Sequence, residues 1–194
     1  MVIYENKNLN FTEECSVIWF PEASHVALGI DQTFYNLFFK CVEAEDTDST
    51  KRPLALEGKS RWYYQFHIGL DPEEKQQLLQ NWSSSGIHTC SGNAARVLTK
   101  TTNMTFPWFK SWAPANLAKF LYETRDQTNS RIFSIEYVGV KAKQPDLCQI
   151  IAKKKWEEWD SFFASVGILL SLVILYLLGE LVKTAFKTLL DKNP

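Results

Sequence analysis

Cys90 is the residue of this 194-residue chain whose type and setting suit covalent chemistry. It opens a stretch, Cys90 to Lys100, in which Ala94, Val97 and Leu98 share one helical face with it. A thiol at a helix start lies beside unpaired first-turn amides and the positive end of the helix dipole, and both favour the thiolate. The same amides can receive the charge that develops on a carbonyl oxygen under attack. A free cysteine is as readily a small buried hydrophobe, so the reading depends on a base. The candidates are His25, His67 and His88. His88 is two residues from Cys90 and locally constrained, and His67 stands inside a strand, where it reads equally as a satisfied core histidine. His25 follows a turn and begins a strand containing Ala27 and Gly29, small residues that leave room for a substrate. An activated thiol needs a base and a polar group to orient that base. Asn36 on the adjacent strand can be that group, with Gln65 as the second candidate.

The elements that position these residues read as strands first, helices next, then a strand. Ser16–Phe20, His25–Ile30, Phe34–Phe39 and Arg61–Ile68 are β-leaning, with turns at Pro21–Ser24 and Asp31–Thr33. The polar stretch 43–60, acidic at first, is expected to be a mobile loop. Asp71-Pro-Glu-Glu74 opens a helix with Asp as N-cap, Pro at the first position and Glu at the third; it runs to about Trp82 and ends at Ser83–Gly86. The Cys90 helix follows, then a helix after Pro114 with Leu117, Phe120 and Leu121 as its stripe, and Arg131–Val138 as a last strand. Without βαβ alternation this is α+β with an antiparallel sheet.

The run Phe162–Gly179 carries no charge, and as a helix it spans about 27 Å, enough for a thin hydrocarbon core. Trp156 and Trp159 precede it, with Lys153, Lys154 and Lys155 before them, in the order of an interfacial anchor. Charge does not decide its orientation. Met1–Asn10 lacks the basic and apolar regions of a signal peptide, so a single-pass C-terminal anchor is the simplest topology, and the sequons at Asn10, Asn81 and Asn103 carry no implication. The expected organisation is a globular domain at 1–150, an interfacial linker at 151–161, a transmembrane helix at 162–180 and an amphipathic tail at 181–194.

Lys and Arg total 21 against 22 Asp and Glu, so duplex nucleic acid is an unsuitable partner, its affinity coming from phosphate neutralisation. Cysteines at 15, 41, 90 and 148 show no paired spacing, and no Cys/His cluster has the spacing of a metal site. No phosphate loop or dinucleotide fingerprint occurs, so neither metal nor cofactor is expected.

Ser24-His-Val-Ala-Leu-Gly-Ile30 resembles the histidine strand of circularly permuted papain-like hydrolases of the NlpC type. The resemblance extends through Trp62–Leu79 and His88-Thr-Cys-Ser-Gly-Asn-Ala-Ala-Arg-Val-Leu98 to Ser111–Leu117, covering residues 16–124 with the histidine strand before the cysteine helix. It implies a permuted papain-like sheet packed against helices, with Cys90 as nucleophile, His25 as base and Asn36 as third residue. Ser24 departs from the glycine that commonly precedes the histidine. The activity implied is a thiol amidase or peptidase acting through an acyl-thioenzyme, with bacterial cell-wall peptides as leading substrates; secreted antibacterial effectors carry such domains. Lecithin:retinol-acyltransferase-like lipid enzymes share the histidine-then-cysteine order, and many end in a membrane anchor. This chain has Thr89-Cys-Ser-Gly-Asn93 where they have Asn-Cys-Glu-His-Phe. A non-catalytic membrane adaptor that keeps the fold is the third reading. The partners implied are a peptide or lipid substrate, the membrane through 162–180, and an inhibitory or delivery protein that the sequence does not identify.

Overall fold

Strand β2 (Glu13–Phe20) lies at the middle of the sheet, between β3 (His25–Ile30) and β6 (Trp62–Leu70), antiparallel to both. The computed structural model describes residues 1–31, 33–38, 41–46, 62–82, 89–139 and 146–190. Seven strands form one sheet, completed by β1 (Val2–Glu5), β4 (Thr33–Phe38), β5 (Cys41–Asp46) and β7 (Ile132–Gly139), in the order β1-β7-β6-β2-β3-β4-β5. Every neighbouring pair is antiparallel.

The middle strands are buried on both faces, and register assigns each side chain to one of them. Cys15, Val17 and Trp19 of β2 join Val26, Leu28 and Ile30 of β3 and Tyr64, Phe66 and Ile68 of β6 in the main core. Ile18, Phe20, Ala27 and Tyr63 form a second, smaller cluster. Trp19, Tyr64 and Phe66 are fully buried, each contributing about 1.5–3 kcal/mol of transfer free energy. Trp19 stacks on Tyr64 with ring centroids 5.8 Å apart, and Trp62 meets Tyr64 edge-on at 5.7 Å.

The main core is closed by helices. Helix α1 (Pro72–Trp82) starts as expected: the Asp71 amide donates to the Glu74 carboxylate at 2.9 Å. Helix α2 (Cys90–Thr101) packs against β3, β4 and α1, and it contributes Ala94, Ala95, Val97 and Leu98 to the main core. Helix α3 (Trp108–Ser111) is one turn, and α4 (Pro114–Thr124) buries Ala115, Leu117, Ala118 and Leu121. Helix α5 runs from Leu147 to Leu190, with Asp146 accepting the Cys148 amide at 2.9 Å.

The observed class is α+β with an antiparallel sheet. Three features differ from the sequence expectation. Residues 43–46 belong to β5, because Asn36↔Glu43 and Phe34↔Glu45 pairing supplies backbone partners to a segment whose own propensity is poor; 47–60 lies outside the described residues. Strand β1 and helix α3 are additional. The segment 151–161, expected as an interfacial linker, lies within helix α5, and Ile151 at its start is buried in the main core. The chain divides into two compact units, Met1–Lys155 and Trp156–Pro194. Leu147–Lys183 is long and apolar enough to cross a membrane, with mean hydropathy 2.4 over its most apolar window and none of that window buried.

Candidate active site

Cys90 occupies the first position of α2, and the residues around it are those a stable helix start requires. Thr89 is extended, with φ −70° and ψ 160°, and its Oγ1 accepts the Gly92 amide at 3.0 Å. The same hydroxyl donates to the Trp112 carbonyl at 2.8 Å, tying the helix start to the segment before α4. A Cβ at Gly92 would come within 2.9 Å of Thr89 Oγ1, which is why glycine suits that position. The Asn93 amide donates to the Thr89 carbonyl at 2.8 Å and closes the first turn. Gly92 and Asn93 are thus engaged by Thr89, and the Cys90 and Ser91 amides precede them in the first turn. Cys90 itself is partly buried against the main core.

His25 is the first residue of β3 and is buried, opposite Phe20 of β2. The ring lies on Phe20, with centroids 6.2 Å apart and planes 28° from parallel. Ser24 delivers the chain into the strand at φ 45°, in the left-handed region that favours glycine. Serine therefore stands at a position whose backbone conformation favours glycine. Strand alternation groups His25 with Ala27 and Gly29, as expected. Phe20 and Ala27 belong to the smaller cluster, whereas Cys90 and its helix pack on the cluster of Val26, Leu28 and Ile30. His25 thus lies on Phe20 of the smaller cluster, Cys90 packs against the main core, and His25 stands at the strand's end.

The third-residue candidates fare differently. Asn36 is paired with Glu43 in the β4–β5 ladder, and its side chain lies outside the described residues. Gln65 donates to Ser16 Oγ at 2.8 Å on β2. His88 lies outside the described residues. His67 is held between carboxylates on the strands beside it: Nδ1 is 3.5 Å from Glu14 and Nε2 3.9 Å from Glu136. Its hydrogen bond to Glu14 lowers that carboxyl below its ordinary value. His67 is therefore part of a cross-strand polar cluster with Glu14, Glu136 and Ser16, in which its buried Nε2 has no hydrogen-bond partner, so the reading of it as a fully satisfied core histidine does not hold.

Of the other thiols, Cys15 is buried in the main core, and desolvation pushes its pKa upward. Cys148 is exposed at the start of α5, and the Cys41 side chain lies outside the described residues. No group of three or more His, Cys, Asp or Glu residues with metal-holding geometry occurs among the described residues.

Sequence inspection missed two polar side chains of α2. Asn93 is fully buried, and it accepts from Arg96 Nη2 at 2.9 Å. The signal available was an asparagine followed three residues later by an arginine inside an otherwise apolar helix face. Compared with known protein families, curated proteins and solved structures, the chain matches none.

Proposed function

We propose that this protein is a cysteine hydrolase of the amidase or peptidase class, anchored to a membrane by its C-terminal helix. The observation that carries the reading is Cys90 at the first position of a capped helix, with two first-turn amides beside it. Those amides and the helix dipole favour the thiolate and supply donors for a carbonyl oxygen. His25 is the proposed base, and its position at the end of β3 requires the ring to reach the thiol round the strand's end. Cys90 Sγ gives its proton to His25 and bonds to the substrate carbonyl carbon. The carbon–nitrogen bond then breaks, and the leaving amine takes the proton from His25. Water, deprotonated by His25, attacks the thioester, releasing the acid and restoring the thiol. Asn36 is the proposed orienting residue.

The apolar helix favours one other reading, a lipid hydrolase or acyltransferase, because it would place the domain beside ester-linked lipid. Purified full-length protein in detergent, incubated separately with murein and with phospholipid vesicles, separates the two by mass spectrometry of the products. Muropeptide cleavage abolished by Cys90→Ala supports the amidase; fatty-acid release abolished by the same variant supports the lipid enzyme. If neither substrate changes while the protein is folded, the adaptor reading replaces both.

A further inference from the structure

Arg96 has a guanidinium that no carboxylate meets among the described residues. Its guanidinium donates within its own helix, Nη2 to Asn93 Oδ1 at 2.9 Å. That contact fixes the asparagine amide, because the oxygen must face the guanidinium and the nitrogen must point elsewhere. Asn93 is 0% exposed, and its Nδ2 is buried without a hydrogen-bond partner, as is Arg96 Nε. Native proteins leave few buried donors unpaired, and Arg96, half-buried, carries a charge that no carboxylate among the described residues offsets. Two orphaned donors on residues three apart share one stripe of the helix, and the charge of Arg96 makes an anionic acceptor the best complement to them. Asn93 is also three residues from Cys90, about 4.5 Å along the axis.

We propose that Asn93 and Arg96 form an anion subsite that receives a carboxylate of the substrate, so that the Cys90 site selects acidic peptides. A carboxylate is planar and offers two oxygens, one for each orphaned donor, and planar guanidinium donors suit it geometrically. Selection of a substrate rests on Cys90 being the nucleophile; anion binding at Asn93 and Arg96 does not.

The test is a titration of ¹⁵N-labelled full-length protein in detergent micelles with acetate and, separately, with inorganic phosphate. The Asn93 side-chain amide and the Arg96 Nε–H should shift saturably with acetate, and Arg96→Gln should remove that response. Asn93→Asp supplies a carboxylate from the chain itself, so it should pair with Arg96, keep the protein folded and also abolish the response. With peptide substrates, Arg96→Gln should raise KM about tenfold for a glutamate-containing peptide and leave its neutral analogue unchanged, as loss of one charge-assisted contact implies. Signals unmoved by acetate, a response surviving both variants, or a response to phosphate alone would overturn the proposal; the last result would point to a phosphate-bearing ligand. Acetate binding without any hydrolysis would sink the enzyme reading and leave the subsite standing. Hydrolysis without acetate binding would do the reverse.

Discussion

Thr89 accepts the Gly92 amide at 3.0 Å, in a position where a Gly92 Cβ would approach the same hydroxyl to 2.9 Å. The cap and the missing side chain are one device, and it sets the environment of Cys90. Thr89→Ala should destabilise the fold by about 1 kcal/mol, the usual cost of a lost N-cap. Gly92→Ala should do similar damage by crowding the cap. In both variants iodoacetamide should label Cys90 more slowly below neutral pH than in the parent protein. Equal rates would show that the helix start does not activate the thiol.

Cys90 should also label ahead of Cys15, whose buried thiol is held protonated by desolvation. In an active preparation, Cys90→Ala and His25→Ala should each remove nearly all turnover, because members of a catalytic unit are not additive. Asn36→Ala should cost less, and Cys148→Ser should leave the rate unchanged. Turnover retained by Cys90→Ala in folded protein would end the hydrolase reading.

Ser24 enters β3 at φ 45°, where a glycine has no steric penalty. Ser24→Gly should therefore raise stability by about 0.5 kcal/mol, the steric relief exceeding the added unfolded-state entropy. Ser24→Val should lower it by more, since a branched side chain resists that conformation. Urea midpoints of the residue 1–155 unit would read both changes.

Glu14 is stabilised as a carboxylate by its hydrogen bond to His67, with desolvation opposing and the His67 charge adding a smaller contribution. A carboxyl lowered in the folded state contributes stability that is present above its unfolded value, near 4.5, and is lost as pH falls toward its native value. Replacing His67 by Asn should flatten the acid limb of the stability curve below pH 4.5. The change should be under about 1 kcal/mol, because the Glu14 side chain is half exposed and screened by solvent. An unchanged acid limb would show that the pair is not coupled to folding.

Deleting residues 156–194 should release the first compact unit from the membrane fraction, because the long apolar window lies in the second. Placing Arg at Leu169 and Leu172 in the full chain should abolish stable insertion. Each charge at mid-membrane depth costs about 2.5–3.5 kcal/mol on insertion scales. Persistence of the truncated protein in carbonate-washed membranes would refute the anchor.

The amino-acid sequence by itself determined the features that depend on neighbours along the chain. Asp71, Pro72 and Glu74 mark the start of α1, and Thr89 and Cys90 that of α2, because caps act within one turn. The uncharged run at 162–179 fixes its own solvent preference, and the β-leaning stretches between Ser16 and Ile68 announce their strands. Tertiary structure decided what depends on partners distant in sequence. Val2–Glu5 becomes a strand because β7 offers it an edge, and the acidic Cys41–Asp46 because β4 does. Pairing and register also decided which residues gather together. His25 shares a cluster side with Ala27 while Cys90 packs with the residues around Val26, although both were legible one by one as chemistry-bearing residues. The burial of Asn93 against Arg96 was likewise invisible, since a helical period gives a direction but not what lies in it. Local propensity is a sum over a few neighbouring residues, whereas register and burial are set by contacts whose closure entropy and packing involve the whole sheet.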